Sequence, residues 1–424
     1  MIDFIKTTLL NGGLDDKFKE VYCGSEFVAA QKERYLASID AFKSLYGDKE
    51  IEIYSAPGRT EIGGNHTDHQ NGRVLAASIN LDAIAIASKR EGNVIRITSE
   101  GYGEIVVDIS KVEIVENELG TTAAIVRGTA AAFKARGYKA GGFDAYITSN
   151  VLSGSGLSSS AAYEILIGNI LSGMYNDGKI DPITLAQIGK DAENKHFGKP
   201  CGLLDQMACS VGVLVNIDFA DASNPCVKKI NTDFNKHNHA LCIVDTKGSH
   251  ADLTDEYAAV PLEMKKVAKF FGKEYLSEVS KDEFYKNITE IRKSTGDRAV
   301  LRTIHWYAEN ARVDEQVAAL EKGDFSSFKS LIKESGNSSY KYLQNVYATK
   351  NINEQNVSLG LALSDEILKD KGASRVHGGG FAGTIQAFVP SEIVDEYKHF
   401  MEAVFGEGAC YVLKIRPVGG IKMA

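Results

Sequence analysis

The sequence predicts an α+β protein of two domains, and three observations carry that prediction. Segments of helical apolar spacing alternate with short β-branched runs through the first half. The same alternation returns after about residue 220. A chain of 424 residues with 44% hydrophobic side chains also exceeds what a single core usually organises. The division is placed at residues 20–220 and 221–424, and no proline- or serine-rich linker marks it, so an extensive domain interface is expected.

The elements follow in order. Residues 26–46 carry Phe27, Val28, Ala29, Tyr35, Leu36, Ile39, Phe42 and Leu45 at near-helical spacing among charged residues, a leading amphipathic helix. Residues 50–55 alternate as a strand, and 74–88 continue with Val74, Leu75, Ile79, Leu81, Ile84 and Ile86. Further strands are expected over 94–98, 104–109 and 142–148, with helices over 121–136 and from the serine run to about Met174. In the second half the pattern predicts a strand over 239–245, helices over 262–271 and 312–321, and a strand over 384–388.

Composition narrows the class of function. The 48 Lys plus Arg against 56 Asp plus Glu leave a net charge of −8 with no basic run, which argues against a nucleic-acid partner. The six cysteines have neither C-x-x-C pairing nor regular spacing, so no zinc site or disulfide framework is indicated and a reducing cytoplasm is the expected location. No 18-residue apolar run or secretory leader is visible, so no membrane partner is expected.

Four segments could carry chemistry. Gly154, Ser155, Gly156, Leu157, Ser158, Ser159 and Ser160 open an apolar-periodic helix, where glycines allow close backbone approach and the helix dipole favours a polyphosphate such as that of ATP. A glycine-rich turn with Ser158 as N-cap is the plainer reading. Residues 55–72, with Arg59, Asn65, His66, Asp68 and His69, offer the mixed donors and acceptors a sugar needs, or form a solvated turn. A metal site at His66, Asp68 and His69 is a third possibility.

In residues 192–207, Glu193 closes a helix starting near Ile183 and Asp205 follows Leu203 and Leu204 out of bulk water, where a carboxylate can act as base. The plainer alternatives are a solvated helix end and an N-cap. Residues 372–384 crowd four glycines into six residues before a strand, a pattern for close backbone approach. His237 and His239 read as surface loop. No G-x-x-x-x-G-K-[ST] or G-x-S-x-G motif occurs.

Together these segments resemble the GHMP kinases, and within them the galactokinases. Gly58-Arg59-Thr60-Glu61-Ile62-Gly63-Gly64-Asn65-His66-Thr67-Asp68-His69 is similar to the sugar signature G-R-V-N-L-I-G-E-H-T-D-Y. The serine loop resembles G-x-G-L-S-S-S-A, Pro200-Cys201-Gly202-Leu203-Leu204-Asp205-Gln206 resembles P-C-G-I-M-D-Q, and the glycine run resembles G-x-R-x-T-G-G-G-F-G-G. Ser249-His250 and Tyr257 are similar to a stretch that reaches the sugar.

The resemblance implies an N-terminal ribosomal-protein-S5-like domain and a C-terminal ferredoxin-like domain, with ATP and a sugar in the cleft between them. It implies phosphorylation of galactose at the C1 hydroxyl. Asp205 would be the base and Arg59 its partner, Ser160 and Glu193 the Mg2+ ligands, and Asn65, His66, Asp68, Gly202 and Tyr257 the sugar contacts. Residues 154–160 would hold ATP.

The departures fall in the signature. Asn65 replaces a glutamate that lies near the C6 hydroxyl in the family, Thr60-Glu61-Ile62-Gly63 replaces Val-Asn-Leu-Ile, and His69 replaces Tyr. A weakened C6 contact follows, to be strengthened by Asn65→Glu. Kinases of N-acetylgalactosamine, arabinose or galacturonate share the phosphoryl-transfer residues, whereas a sensor that binds ATP and sugar without transfer can lose the Ser-Ala pair, which is intact here as Ser160-Ala161 together with Asp205.

Overall fold

The computed structural model describes every residue except 1, 152–155, 200, 222, 250–252 and 351. The fold is α+β, in two compact units that are not contiguous in sequence. The first comprises residues 1–59, 77–213 and 414–424, and the second residues 60–76 and 214–413. Strands β1 (Glu52–Gly63) and β2 (Arg73–Lys89) each contribute to both.

In the first unit β1 and β2 are followed by β3 (Val94–Ser99), β4 (Glu104–Asp108) and β5 (Phe143–Ser149), in the spatial order β1-β2-β5-β3-β4. The C-terminal strand Ile421–Lys422 pairs antiparallel with β1. β2 with β5 and β3 with β4 are antiparallel, whereas β3 and β5 are parallel. A parallel pair requires a crossover, and the chain between them carries one in α2 (Thr122–Ala135); the helix expected near the N-terminus is α1 (Val28–Tyr46), which the shorter helices Ile2–Leu10 and Asp15–Tyr22 precede. Val126, Ala130 and Phe133 of α2 pack with Ile165, Ile167 and Ile170 of α3 (Ser159–Asn176) on sheet residues Ala85, Ile97 and Ala145. Helices α4 (Pro182–Asp191) and α5 (Leu204–Val211) complete this layer.

The opposite layer is tied by one buried carboxylate. Asp82 on β2 accepts from Arg34 Nη1 at 2.6 Å, Tyr22 OH at 2.7 Å and Arg416 Nη1 at 3.2 Å, and from the Ser55 hydroxyl. Asp82 and Arg416 are fully buried, so the N-terminal helices, β1 and the C-terminal segment share one ionic knot.

In the second unit β6 (Leu214–Asp218) pairs with β2 and with β7 (Cys226–Ile230). β8 (His239–Asp245), β9 (Ala373–Val376), β10 (Thr384–Pro390) and β11 (Cys410–Leu413) form an antiparallel sheet in the order β11-β8-β10-β9. The remaining long helices are α6 (Thr254–Phe270), α7 (Asp297–Glu321), α8 (Phe325–Ser338), α9 (Asn356–Leu368) and α10 (Val394–Phe405). Val357 and Leu368 of α9 and Tyr397 and Met401 of α10 pack on Cys242, Val244, Ile385 and Ala387.

Three local expectations need correction. Residues 55–63, read as part of a polar loop, continue β1, and all nine are buried because Arg59, Thr60 and Glu61 find internal partners. His239 begins β8 rather than lying in a surface loop, while His237 stacks on Phe325. The helix read as 312–321 is only the end of α7. Its first part buries Arg302, Thr303, His305 and Glu309, so apolar periodicity fails where the buried face is polar.

Candidate active site

The first unit brings together a strand end, a glycine-serine turn and a helix start. A Cβ on Gly58 would sit 2.8 Å from the Leu157 carbonyl oxygen, so only glycine allows β1 so near the turn. The Arg59 amide then donates to Leu157 O at 3.0 Å, and its guanidinium Nη1 donates to Gly156 O. Arg59 Nε donates to Asp205 Oδ1 at 2.7 Å.

Asp205 lies in the first turn of α5, whose cap position is Leu203, so it is not the N-cap. A carboxylate there faces the positive end of the helix. Its Oδ2 accepts from the Ser158 hydroxyl. Ser158 holds the N-cap position of α3 at φ 58° and ψ 60°, but its hydroxyl turns to Asp205 instead of capping α3. The Asp205 side chain remains 37% exposed, reachable from solvent on one side. Burial pushes its pKa up. The charge and hydrogen bond of Arg59, with the hydrogen bond from Ser158, reverse this and hold it below the usual carboxylate value.

Glu193 follows α4 in a π-helical turn, Ala192–Phe197, and is buried, so it is not a solvated helix end. Gln206, next to Asp205, donates through Nε2 to Glu193 Oε2 at 2.8 Å and to Glu164 Oε2 at 3.0 Å. Lys199 Nζ stands 3.5 Å from Glu193 Oε1. Burial and the neighbouring Glu193 push the Glu164 pKa well above the usual carboxylate value. Ser160 is exposed in the first turn of α3, one helical turn before Glu164. An accessible hydroxyl and a buried, oriented carboxylate are donors suited to a hard cation such as Mg2+ that takes its other ligands from phosphate and water.

The second unit holds the signature loop. His66, at φ 59°, bonds through Nε2 to Gly379 O at 3.0 Å. Since a carbonyl can only accept, the ring proton is on Nε2 and Nδ1 is an acceptor. Burial, and then the neighbouring His69, lower the His66 pKa to about 3, so the ring is neutral at physiological pH. Asp68 is partly exposed at the start of a short 3₁₀ turn. Tyr257 on α6 donates to Gly380 O at 2.8 Å, and burial pushes its pKa up to about 12. Gly202 belongs to the first unit, partly exposed in the turn before α5. Among the described residues no three His, Cys, Asp or Glu side chains gather as a metal cage.

Asn65 is turned inward. Its Nδ2 donates to Glu61 Oε1 at 3.0 Å and Gly378 O at 2.7 Å, and its Oδ1 accepts from Asn345 Nδ2 at 2.9 Å and Ser339 Oγ at 3.2 Å. All four hydrogen-bonding positions of the amide are filled, and the residue is fully buried. A contact from this side chain to a sugar C6 hydroxyl, as expected from the sequence, requires it to exchange one of these partners. Glu61, where the signature has Asn, supplies the carboxylate and pairs with the buried Arg375.

Gly154 and Ser155, with Pro200 and His250, lie outside the described residues. Sequence reasoning assigned no role to Glu164 or Gln206. A lone glutamate inside the apolar run Ala161-Ala162-Tyr163-Glu164-Ile165-Leu166-Ile167 was the available signal.

The galactokinase galactose-binding signature matches residues 40–89, and the N-terminal domain of GHMP kinases matches residues 124–213. The galactokinase of Clostridium tetani (strain Massachusetts / E88) is 29% identical over 361 residues, spanning 84% of this chain and 88% of that protein. The structure of Lactococcus lactis galactokinase complexed with galactose superposes with a TM-score of 0.78 at 26% identity, covering 92% of this chain and 100% of the other. Methanococcus jannaschii mevalonate kinase shares the fold at a TM-score of 0.60 and 15% identity, over 86% and 98% of the two chains. Over most of its length the chain is therefore similar to galactokinases, and two of its segments match the galactose-binding signature and the N-terminal domain of GHMP kinases.

Proposed function

We propose that the protein transfers the γ-phosphoryl group of ATP to the C1 hydroxyl of galactose, giving galactose 1-phosphate and ADP. The observation that carries this reading is the Asp205 carboxylate, held anionic by Arg59 and Ser158 beside the serine-rich start of α3. In this reading residues 154–160 hold the phosphates, using backbone N–H groups and the helix dipole. An Asp205 oxygen accepts the C1 proton as the sugar oxygen bonds to the γ-phosphorus and the bond to the β-phosphate oxygen breaks. Arg59 keeps the base ionised and offsets charge on the transferring group.

Ser160 Oγ and the Glu193 carboxylate would hold Mg2+, which when bound neutralises charge across the β- and γ-phosphates. Gln206 orients Glu193 for that task through an amide group that it shares with Glu164. His66, Asp68, Gly202 and Tyr257 are the sugar contacts of this reading, and Asn65 supports their loop from within. In this reading the phosphate loop lies in the first unit, while the signature loop at residues 60–76 shares the second unit with the glycine-rich run. Cys201, Cys209, Cys226, Cys242 and Cys410 are free thiols, in keeping with a cytoplasmic enzyme.

The test is ADP release across galactose, 6-deoxygalactose, galacturonate, N-acetylgalactosamine and arabinose. Galactose is expected to turn over fastest, with the product phosphorylated at C1. Much faster turnover of an N-acetylated or 6-carboxy sugar makes the protein a kinase of that sugar. Binding of ATP and galactose without ADP release makes it a sensor.

A further inference from the structure

One face of α7 grips the backbone of the signature loop at both ends. Glu309 Oε1 accepts from the amides of Gly64 at 3.1 Å and Asn65 at 3.4 Å. His305 Nε2 donates to Asn65 O at 3.0 Å, and its Nδ1 pairs with the Ser338 hydroxyl at 2.9 Å. Trp306 Nε1 donates to Thr67 O at 3.1 Å, and the Arg73 amide donates to Asn310 Oδ1 at 2.6 Å. Positions 305, 306, 309 and 310 stand at i, i+1, i+4 and i+5, a single helix face. His305 and Glu309 are fully buried and Trp306 nearly so, which makes these contacts dry.

The loop needs such support. Gly64, His66 and Asn71 all have left-handed backbone, at φ 86°, 59° and 55°, and for His66 and Asn71 that conformation costs free energy the local chain does not return. The contacts made by His305, Trp306, Glu309 and Asn310 engage main-chain groups of residues 64–73, so the side chains of His66 and Asp68 are not consumed by them. Ser335 on α8 donates to Glu309 Oε1 at 2.6 Å and Arg312 pairs with its other oxygen, so the clamp is itself held.

We propose that His305, Trp306, Glu309 and Asn310 are positioning residues that preset the sugar-binding loop, and that they determine sugar affinity while leaving nucleotide binding and the chemical step alone. The inference rests on the sugar-kinase reading and adds to it the element that shapes the sugar site.

The experiment uses Trp306→Phe, which deletes one N–H and keeps an aromatic ring, with Glu309→Gln as the stronger variant. Calorimetry with galactose alone is expected to show the dissociation constant rising about fivefold in Trp306→Phe, the equivalent of one neutral hydrogen bond, and further in Glu309→Gln. KM for galactose should rise in step, with kcat and KM for ATP unchanged. Amide hydrogen exchange should quicken in residues 64–73 and nowhere else. Should Glu309→Gln fail to fold, Trp306→Phe carries the test. Unchanged galactose affinity in the folded Trp306→Phe protein, or an equal rise in KM for ATP, overturns the proposal. Wild-type protein that binds no sugar of the panel overturns the kinase reading instead, and hydrogen exchange then still decides whether α7 holds the loop.

Discussion

Arg59 Nε donates to Asp205 Oδ1 at 2.7 Å while the backbone amide of Arg59 is bound to Leu157 O, so one residue fixes both the carboxylate and the turn that precedes α3. The pair gives Asp205 the properties a base needs: it is ionised, oriented and partly open to solvent. Removing the carboxylate with Asp205→Asn is expected to lower kcat by about 10³-fold or more while galactose binding stays measurable. Single-turnover kinetics and calorimetry separate the two, and near-normal turnover would exclude Asp205 as the base.

The same pair sets the acid limb of the pH profile. Because its pKa is held below the ordinary value, Asp205 stays ionised as pH falls to that value, and activity drops only beneath it. Arg59→Met leaves burial unopposed by the guanidinium, so the limb of kcat/KM is expected to move to higher pH. A profile that does not move would show that Arg59 leaves the ionisation of Asp205 unaffected.

Metal dependence tests the second half of the site. Glu193→Gln and Ser160→Ala are each expected to raise the Mg2+ concentration needed for half-maximal rate by about tenfold, because each weakens an oxygen donor to the ion. A Mg2+ titration followed both by rate and by calorimetric binding of ATP reads the effect. Unchanged curves in both variants would remove these two residues from the metal site.

The exchange of amide and carboxylate between positions 61 and 65 gives a stability prediction. Asn65→Glu would set a second carboxylate against Glu61 where the amide donates at 3.0 Å, in a buried site. Destabilisation of about 3 kcal/mol or more is expected. The double substitution Glu61→Asn with Asn65→Glu should recover much of that loss, since it restores one carboxylate and one amide. Urea melts of the two single variants and the double variant measure the coupling, and additive losses would show that the two side chains act independently.

Most of what repeats locally could be read from the residues themselves. The leading helix, β2, β3, β5, β8 and the helix after the serine run stand near where apolar spacing puts them, because each buries one apolar face or a β-branched run. The serine loop and the Leu-Leu-Asp segment could be singled out because glycine, serine and carboxylate side chains at a helix start have few other uses in a soluble core.

What the sequence alone determined was the α+β class, the kinase family resemblance and the identity of Arg59, Asp205, Ser160 and Glu193 as candidates. Only the tertiary structure decided how polar side chains are spent. It turned Asn65 inward, paired Glu61 with Arg375, set Glu164 and Glu193 on one Gln206 amide, and made the polar face of α7 a mould for the loop at residues 64–73. The physical reason is that apolar burial follows a period along the chain, whereas a buried polar group takes whichever partner the fold brings to it, at separations from 4 to 314 residues, which no local pattern encodes.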